Sequence, residues 1–598
     1  MAITMASETE PTGEHIAAFQ ANIAKMEKLS ERMTTAIANK KSADPGLAGP
    51  GNELFSKAFE AYFSDAMSNP AKIFAQQAEY WTKSMAQVVE TGKSLTGDDT
   101  AVTETKADRR FSHPMWQDNP FFNMVKQQYL LSSQAVEDSV ADLEGLSARE
   151  KNRLTFFSKQ IVDMMAPTNF LATNPAAIEK AMETEGQSLV DGMENMVRDL
   201  ENNNGELLVT LADQGAFEVG ENLANSPGGV VFRNKMLELI QYEAKTEQVH
   251  KTPIVIFPPW INKYYILDLK PANSFVKWLT EQGYTVFMVS WVNPDASYAD
   301  TGMVDYVHNG YLKAIEAVKS ITNEPQVNAI GYCIGGTTLS LTAALLSQRG
   351  DDSIKSVTLF TTITDFSDQG EMAVFLDDDF VDGIERQVVE TGVLESVFMT
   401  RTFSYLRPND LIYGPAIKSY MMGEAPPVFD LLYWNSDSTN LPGRMAVKYL
   451  RQLCQKNEFA LDGFPLGDDS VTLADVKQPI FAIGCETDHI AAWDASLNGV
   501  RQMGSKDKTF VMSQSGHIAG IVNPPSKNKY GHYTNTNLTD PETWRENAEL
   551  TAGSWWPVWE KWLSGRSEDM IPARKVGTKT FPVLCEAPGT YVLSKSKN

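Results

Sequence analysis

Cysteine and histidine are scarce, with four of the first and seven of the second in 598 residues. The cysteines, Cys333, Cys454, Cys485 and Cys585, are widely spaced, with no CxxC and no His/Cys cluster. That excludes a disulfide framework and a zinc site, and it suits thiols kept reduced in a cytoplasm. No metal and no cofactor is expected. Long apolar runs are missing too. None approaches the roughly 18 residues that a spanning helix needs, so no membrane span is expected. The N-terminus "MAITMASETEPTGEH" has no basic segment followed by an apolar one, so no signal peptide is expected. Positive charge is also short, 52 Lys and Arg against 76 Asp and Glu, for a net charge of −24. Such a chain repels nucleic acid and anionic membranes, which removes both as partners. An anionic substrate would need a local basic patch.

What is present is a globular composition, 42% hydrophobic and 21% charged. The length exceeds one ordinary core, so two domains are expected. The first, 1–204, reads as helical. "ELFSKAFEAYFSDAM" sets Phe55, Phe59, Tyr62, Phe63 and Met67 at helical spacing. After Asn69-Pro70 the pattern resumes with Phe74, Ala78, Trp81, Met85 and Val89. These faces suit packing on the chain's own core, or a partner or apolar particle. "LTGDDTAVTETKADRR" (95–110) reads as a linker. From Phe111 to about Asn204 the chain is helical again, broken at "APTNFLATNP", and "ENNNGE" marks a boundary.

The second domain, 205–598, alternates short β-rich runs with helices. "PIVIFPPW" (253–260), "TVFMVSW" (285–291), "VNAIGYC" (327–333), "VTLFTTITDF" (357–366), "PIFAIGCETD" (479–488) and "KTFVMSQSGH" (508–517) read as buried strands. Their separations allow crossover helices, hence a mainly parallel sheet. The alternation stops around 367–470, an interval rich in aromatics and Met. An α/β-hydrolase carries its cap insertion at that point. The Met-rich stretch "FMTRTFSYLRPNDLIYGPAIKSYMM" suits packing, or the lining of a substrate path.

The stretch "VNAIGYCIGGTTLSLTAALL" has the strand, Gly-rich turn and helix of a nucleophile elbow, G-x-S-x-G, with Cys333 in the serine's place. An elbow nucleophile needs an acid and then a histidine later in the chain. Asp488 ends the strand "PIFAIGCETD" and His517 ends "KTFVMSQSGH", on the same sheet edge as the elbow. In this set His517 takes the thiol proton, and Asp488 fixes the imidazole tautomer and stabilises its charged form. A free thiol has a pKa of about 8.5, and only the thiolate attacks. The oxyanion formed on attack needs two backbone donors. Ile334 N–H supplies one, and Trp260 the other, because Pro258 and Pro259 have no N–H. His489, beside Asp488, is either a second base or a structural hydrogen-bonder. His308 and His250 lie away from the strand ends. Cys485 lies inside a strand and reads as core.

A cysteine elbow suits acyl transfer better than hydrolysis. Exchange between a thioester and a thiol keeps the acyl group activated, whereas transfer to serine discards much of that activation.

"RRFSHPMWQDNPFFNMVKQQYLLSS", "MAPTNFLATNP", "FPPWINKYYILDLKPANSFVKWLTEQGYTVFMVSWVNP", "GYCIGGT", "LLYWNSDSTNLPG", "GCETDHIAAW", "SGHIAGIVNPP" and "APGTYV" resemble the polyhydroxyalkanoate synthases, class I above all. The likeness runs from about Phe111 to the C-terminus, in the family's order. It implies an α/β-hydrolase-fold catalytic domain and the polymerisation of (R)-3-hydroxyacyl-CoA into polyester with release of CoA. It implies Cys333 as the nucleophile carrying the chain, Asp488 as the acid and His517 as the general base. Trp434 matches a tryptophan of the family's signature stretch. A homodimer on cytoplasmic polyester granules, among granule-associated proteins, is implied as well. Two rival readings stand beside this one. One is a cysteine hydrolase of the dienelactone kind, acting on thioesters or lactones. The other is a non-catalytic scaffold binding through its N-terminal helices.

Overall fold

The computed structural model describes residues 13–38, 75, 78–86, 108–143 and 146–595. The helix expected over 55–67 lies outside them, and of the next only 75 and 78–86 are described, as helix. Among the described residues, no helix is long and apolar enough to cross a membrane.

Eleven strands form one sheet: β1 (Gly228–Arg233), β2 (Leu237–Tyr242), β3 (Ile254–Phe257), β4 (Val286–Trp291), β5 (Val327–Tyr332), β6 (Ile354–Phe360), β7 (Ile480–Cys485), β8 (Lys508–Ser513), β9 (His532–Thr534), β10 (Glu549–Thr551) and β11 (Cys585–Glu586). Their order is β10-β9-β8-β7-β6-β5-β3-β4-β2-β1-β11. Strands β3 to β8 pair in parallel, and β1, β2, β9, β10 and β11 add antiparallel margins. This is the α/β-hydrolase fold. The six expected strands are all present, and they are the buried parallel ones. Their apolar runs are continuous because helices cover both faces of the sheet. The marginal strands have no such run and the sequence reading passes over them.

Two boundaries need correction. Strand β7 stops at Cys485 and β8 at Ser513, so Asp488 and His517 stand in the loops beyond rather than on the strands. Arg110, at the end of the expected linker, is anchored: it donates to Asp163 Oδ1 at 2.8 Å and to the Tyr129 hydroxyl at 2.9 Å.

Helices Pro120–Ala141, Ala148–Met164, Pro175–Glu183 and Gln187–Asn202 form the N-terminal layer. Their starts are written locally. Asn119 and Asn174 cap helices that open on a proline, and Ser147 with Glu150 makes a capping box. "APTNFLATNP" breaks the run as two short 3₁₀ turns. Between β6 and β7 the chain forms a mainly helical insertion, including Asp378–Thr391, Ser396–Leu406 and Asp430–Ser436. The N-terminal layer grips this insertion. Tyr420 donates to the fully buried Asp199 at 2.8 Å, and Asn195 donates to the Ser419 carbonyl at 3.1 Å.

Candidate active site

Strand β5 is buried at every position and ends at Tyr332. The helix Ile334–Gln348 begins at once, leaving Cys333 to make the turn with φ 52° and ψ −124°. A side chain rarely adopts positive φ, so the turn persists only where its surroundings force it. They do so by close approach. A Cβ on Gly335 would stand 2.6 Å from the carbonyl oxygens of Phe257 and Pro258, and one on Gly331 would run into Gly336. The glycines of G-x-C-x-G are therefore spaces that neighbouring backbone occupies.

Because β3 to β8 are parallel, their C-terminal ends share one edge, where ligands bind in such sheets. Three loops from that edge converge. The Asp488 side chain is wholly buried and bonds His517 Nδ1 through Oδ2 at 2.6 Å. Its other oxygen accepts the N–H groups of Ile490 and Ala491, both at 2.9 Å. The carboxylate is thus held on both oxygens. His517 also lies near enough to Cys333 for the two side chains to interact electrostatically. Burial would pull the imidazole's pKa down, but the Asp488 charge and the Cys333 side chain outweigh it and push it up to about 10. Cys333 is half-buried and packs against the apolar clusters of both sheet faces.

The remaining expected residues fall as follows. Ile334 opens the elbow helix, whose first N–H groups have no intrahelical partner and face any negative charge formed there. Trp260 is buried beside the same helix, its indole donating to Thr338 Oγ1 at 3.3 Å. Next to Asp488, His489 is held down at about pKa 4 by burial and then by Arg407, so it is neutral at pH 7. Trp434 bonds the Lys263 carbonyl at 2.7 Å and so ties the insertion to the loop after β3. Cys485 is fully buried, and burial pushes its thiol well up. His250 stacks on Tyr284, ring centroids 4.5 Å apart, and His308 lies in a π-helical turn, Tyr306–Leu312.

Two tyrosines at the site escape the sequence reading. Tyr332 donates to the His517 carbonyl at 2.9 Å and stacks on its ring. Its place directly before Cys333 was the available signal. Tyr449, from the insertion, lies near enough to Cys454 and to Cys333 to interact electrostatically with both. Nothing local in the sequence marks it. A cavity of about 1180 Å³ opens between helix Ala148–Met164 and the insertion, reaching Phe366, Arg407 and Cys454. Cys333, Asp488 and His517 do not line it.

This arrangement can generate a thiolate, keep the resulting imidazolium paired, and offer backbone donors to a developing oxyanion. Residues 107–279 match the family model described as "Poly-beta-hydroxybutyrate polymerase (PhaC) N-terminus", which crosses the boundary expected at 204. Residues 253–524 match the alpha/beta hydrolase fold. The poly(3-hydroxyalkanoate) polymerase subunit PhaC of Rhizobium meliloti is 39% identical over 549 residues, 89% of each chain. Its counterpart in Cupriavidus necator is 40% identical, covering 82% of this chain and 83% of its own. The poly(3-hydroxyalkanoate) polymerase of Methylorubrum extorquens is 41% identical, covering 84% of each. The solved monoacylglycerol lipase of Paleococcus ferrophilus is 16% identical, covering 55% of this chain and 99% of its own, with a TM-score of 0.32.

Proposed function

Because the chain belongs to the poly(3-hydroxyalkanoate) polymerase family, we propose that it builds polyester from (R)-3-hydroxyacyl-CoA, 3-hydroxybutyryl-CoA foremost, with Cys333 carrying the acyl chain. One observation supports this site above all. A thiol held at a strained elbow lies within electrostatic reach of an imidazole that a buried carboxylate grips at 2.6 Å.

His517, charged in keeping with its raised pKa of about 10, holds the proton of Cys333 in an ion pair, and Sγ attacks the thioester carbonyl carbon. The π pair moves onto oxygen, facing the N–H groups of Ile334 and Trp260. As it returns, the bond to the CoA sulfur breaks, and the proton passes from His517 to that sulfur. One thioester replaces another, so the acyl group stays activated. For elongation, His517 takes the proton of a 3-hydroxyl on another unit. The hydroxyl oxygen attacks the acyl carbon, an ester bond forms, and the bond to Cys333 breaks. The helical insertion serves as a cap that keeps water from competing with that hydroxyl. The working form is a homodimer on cytoplasmic polyester granules, with granule-associated proteins around it.

The purified protein, supplied with (R)-3-hydroxybutyryl-CoA, should release CoA and yield sedimentable, chloroform-soluble polyester. Cys333→Ala should do neither, and acyl label should appear on Cys333 alone. Free 3-hydroxybutyrate without polymer would return the chain to the hydrolase reading. Label on Cys454 or Cys485, with an active Cys333→Ala protein, would remove Cys333 from its role.

A further inference from the structure

We propose that Lys263 and Asp437 are positioning residues that hold the oxyanion side of the site by stitching the insertion to the loop after β3. This rests on the reading of Cys333 and Trp260 given above.

Two segments run side by side, 260–265 after β3 and 434–439 in the insertion. Thr439 Oγ1 donates to the Trp260 carbonyl at 2.8 Å, and Trp434 Nε1 donates to the Lys263 carbonyl at 2.7 Å. Between these bonds Lys263 Nζ meets Asp437 Oδ1 at 2.6 Å, with only 4% and 12% of their side chains exposed. The Tyr265 hydroxyl donates to the other carboxylate oxygen at 2.8 Å. A buried ion pair recovers its desolvation cost poorly, so it is weak as a source of stability. What it does well is set register, since a slip would strand two charges away from water.

The register set here is that of Trp260. Two prolines precede it, its indole is held by Thr338, and its carbonyl is held by Thr439. The indole and the carbonyl are thus both held, and between them they restrict how Trp260 and its N–H can move. The anchors that follow it in the chain come from the insertion. A shift of the insertion therefore moves the donor, and the acyl carbonyl is stabilised only while the insertion is docked. An oxyanion donor acts through such prior orientation, and its loss costs about 10²- to 10³-fold in rate.

The test compares Asp437→Asn with the wild-type full-length chain on (R)-3-hydroxybutyryl-CoA. The kcat for CoA release should fall roughly 10- to 100-fold, with KM within about threefold. Alkylation of Cys333 by iodoacetamide, followed by mass spectrometry, should keep its wild-type rate. Displacement at a saturated carbon develops no carbonyl oxyanion, so it isolates the thiol from the donors. Tyr265→Phe, which removes one bond and strands no charge, should show the same split more weakly, and it carries the test if Asp437→Asn does not fold. A raised KM with unchanged kcat, a parallel loss of alkylation and turnover, or unaltered kinetics would each overturn the proposal. If protein fully alkylated at Cys333 still releases CoA, the site reading falls and this proposal with it. If alkylation stops turnover while Asp437→Asn works normally, only the positioning role falls.

Discussion

At His517 burial and charge pull in opposite directions, and charge wins. At His489 burial and the Arg407 charge pull together, and the ring stays neutral. Adjacent in space, the two histidines therefore differ in what they can do. His517→Gln should cut both acylation and elongation by at least about 10², the scale of a lost general base. His489→Gln should cost less, and equal severe losses in steady-state assays would show that the proton work is shared. On the proposed mechanism Asp488 should divide the two half-reactions. A thiol gives up its proton readily, while a hydroxyl is a far weaker acid and needs a fully competent base. Asp488→Asn should therefore still acylate in a single turnover and yet build little polymer. It should also change the pH dependence of stability. A histidine whose pKa is raised on folding stabilises fully below its unfolded value of about 6.5, and that stabilisation fades as pH rises toward about 10. Urea midpoints of wild type and Asp488→Asn should differ most near pH 6, at the low end of that window, and converge toward its top. A gap that widens with pH would contradict the sign.

The element that matters most is the elbow, where strand, turn and helix depend on glycines that leave room for other backbone. Gly335→Ala places a Cβ 2.6 Å from two carbonyl oxygens after and within β3, neither of which can yield like a side chain. Overpacking of this kind costs about 1–3 kcal/mol. It should also separate the elbow from the loop carrying Trp260, so activity should fall further than stability implies. Denaturant unfolding together with CoA release would measure both. A variant of wild-type stability and rate would mean that the loop yields freely. The sequence pattern made this element legible because a positive-φ turn between close-packed backbones admits few residues.

Across the whole molecule, the N-terminal layer and the insertion meet in one interface. Gly192 lies against the Tyr420 carbonyl so closely that any Cβ would run into it, and Asp199 below accepts from Tyr420 and from Thr210. Gly192→Val should lower stability by at least about 2 kcal/mol, since backbone rather than a side chain must move. If the layer also steadies the insertion over Cys333, the variant should release a larger share of free 3-hydroxy acid, as water gains access. Product analysis beside a denaturation curve separates the two effects. Unchanged stability would mean that the two layers part without cost.

The buried parallel strands, the glycine-framed turn at Cys333 and the placing of Cys333, Asp488 and His517 at one sheet edge were legible in the sequence alone, because each follows from a local pattern or a fixed period. A strand covered on both faces must be apolar throughout, and an elbow must place glycines at set offsets. Even there the strand ends were misjudged, since nothing in "GCETD" marks where pairing stops. The marginal strands carry no period that distinguishes them from loop. The same holds for partners that meet only through folding. Lys263 and Asp437 are 174 residues apart by number and adjacent in space, and the Tyr449–Cys333 and Gly192–Tyr420 approaches span 116 and 228 residues of chain. Whether a buried lysine finds a carboxylate, or a histidine beside an acid is charged or neutral, depends on the dielectric and the neighbours that folding assembles. Chain order brought Cys333, Asp488 and His517 to one edge of the sheet. Tertiary packing decided their charge, their orientation and what encloses them.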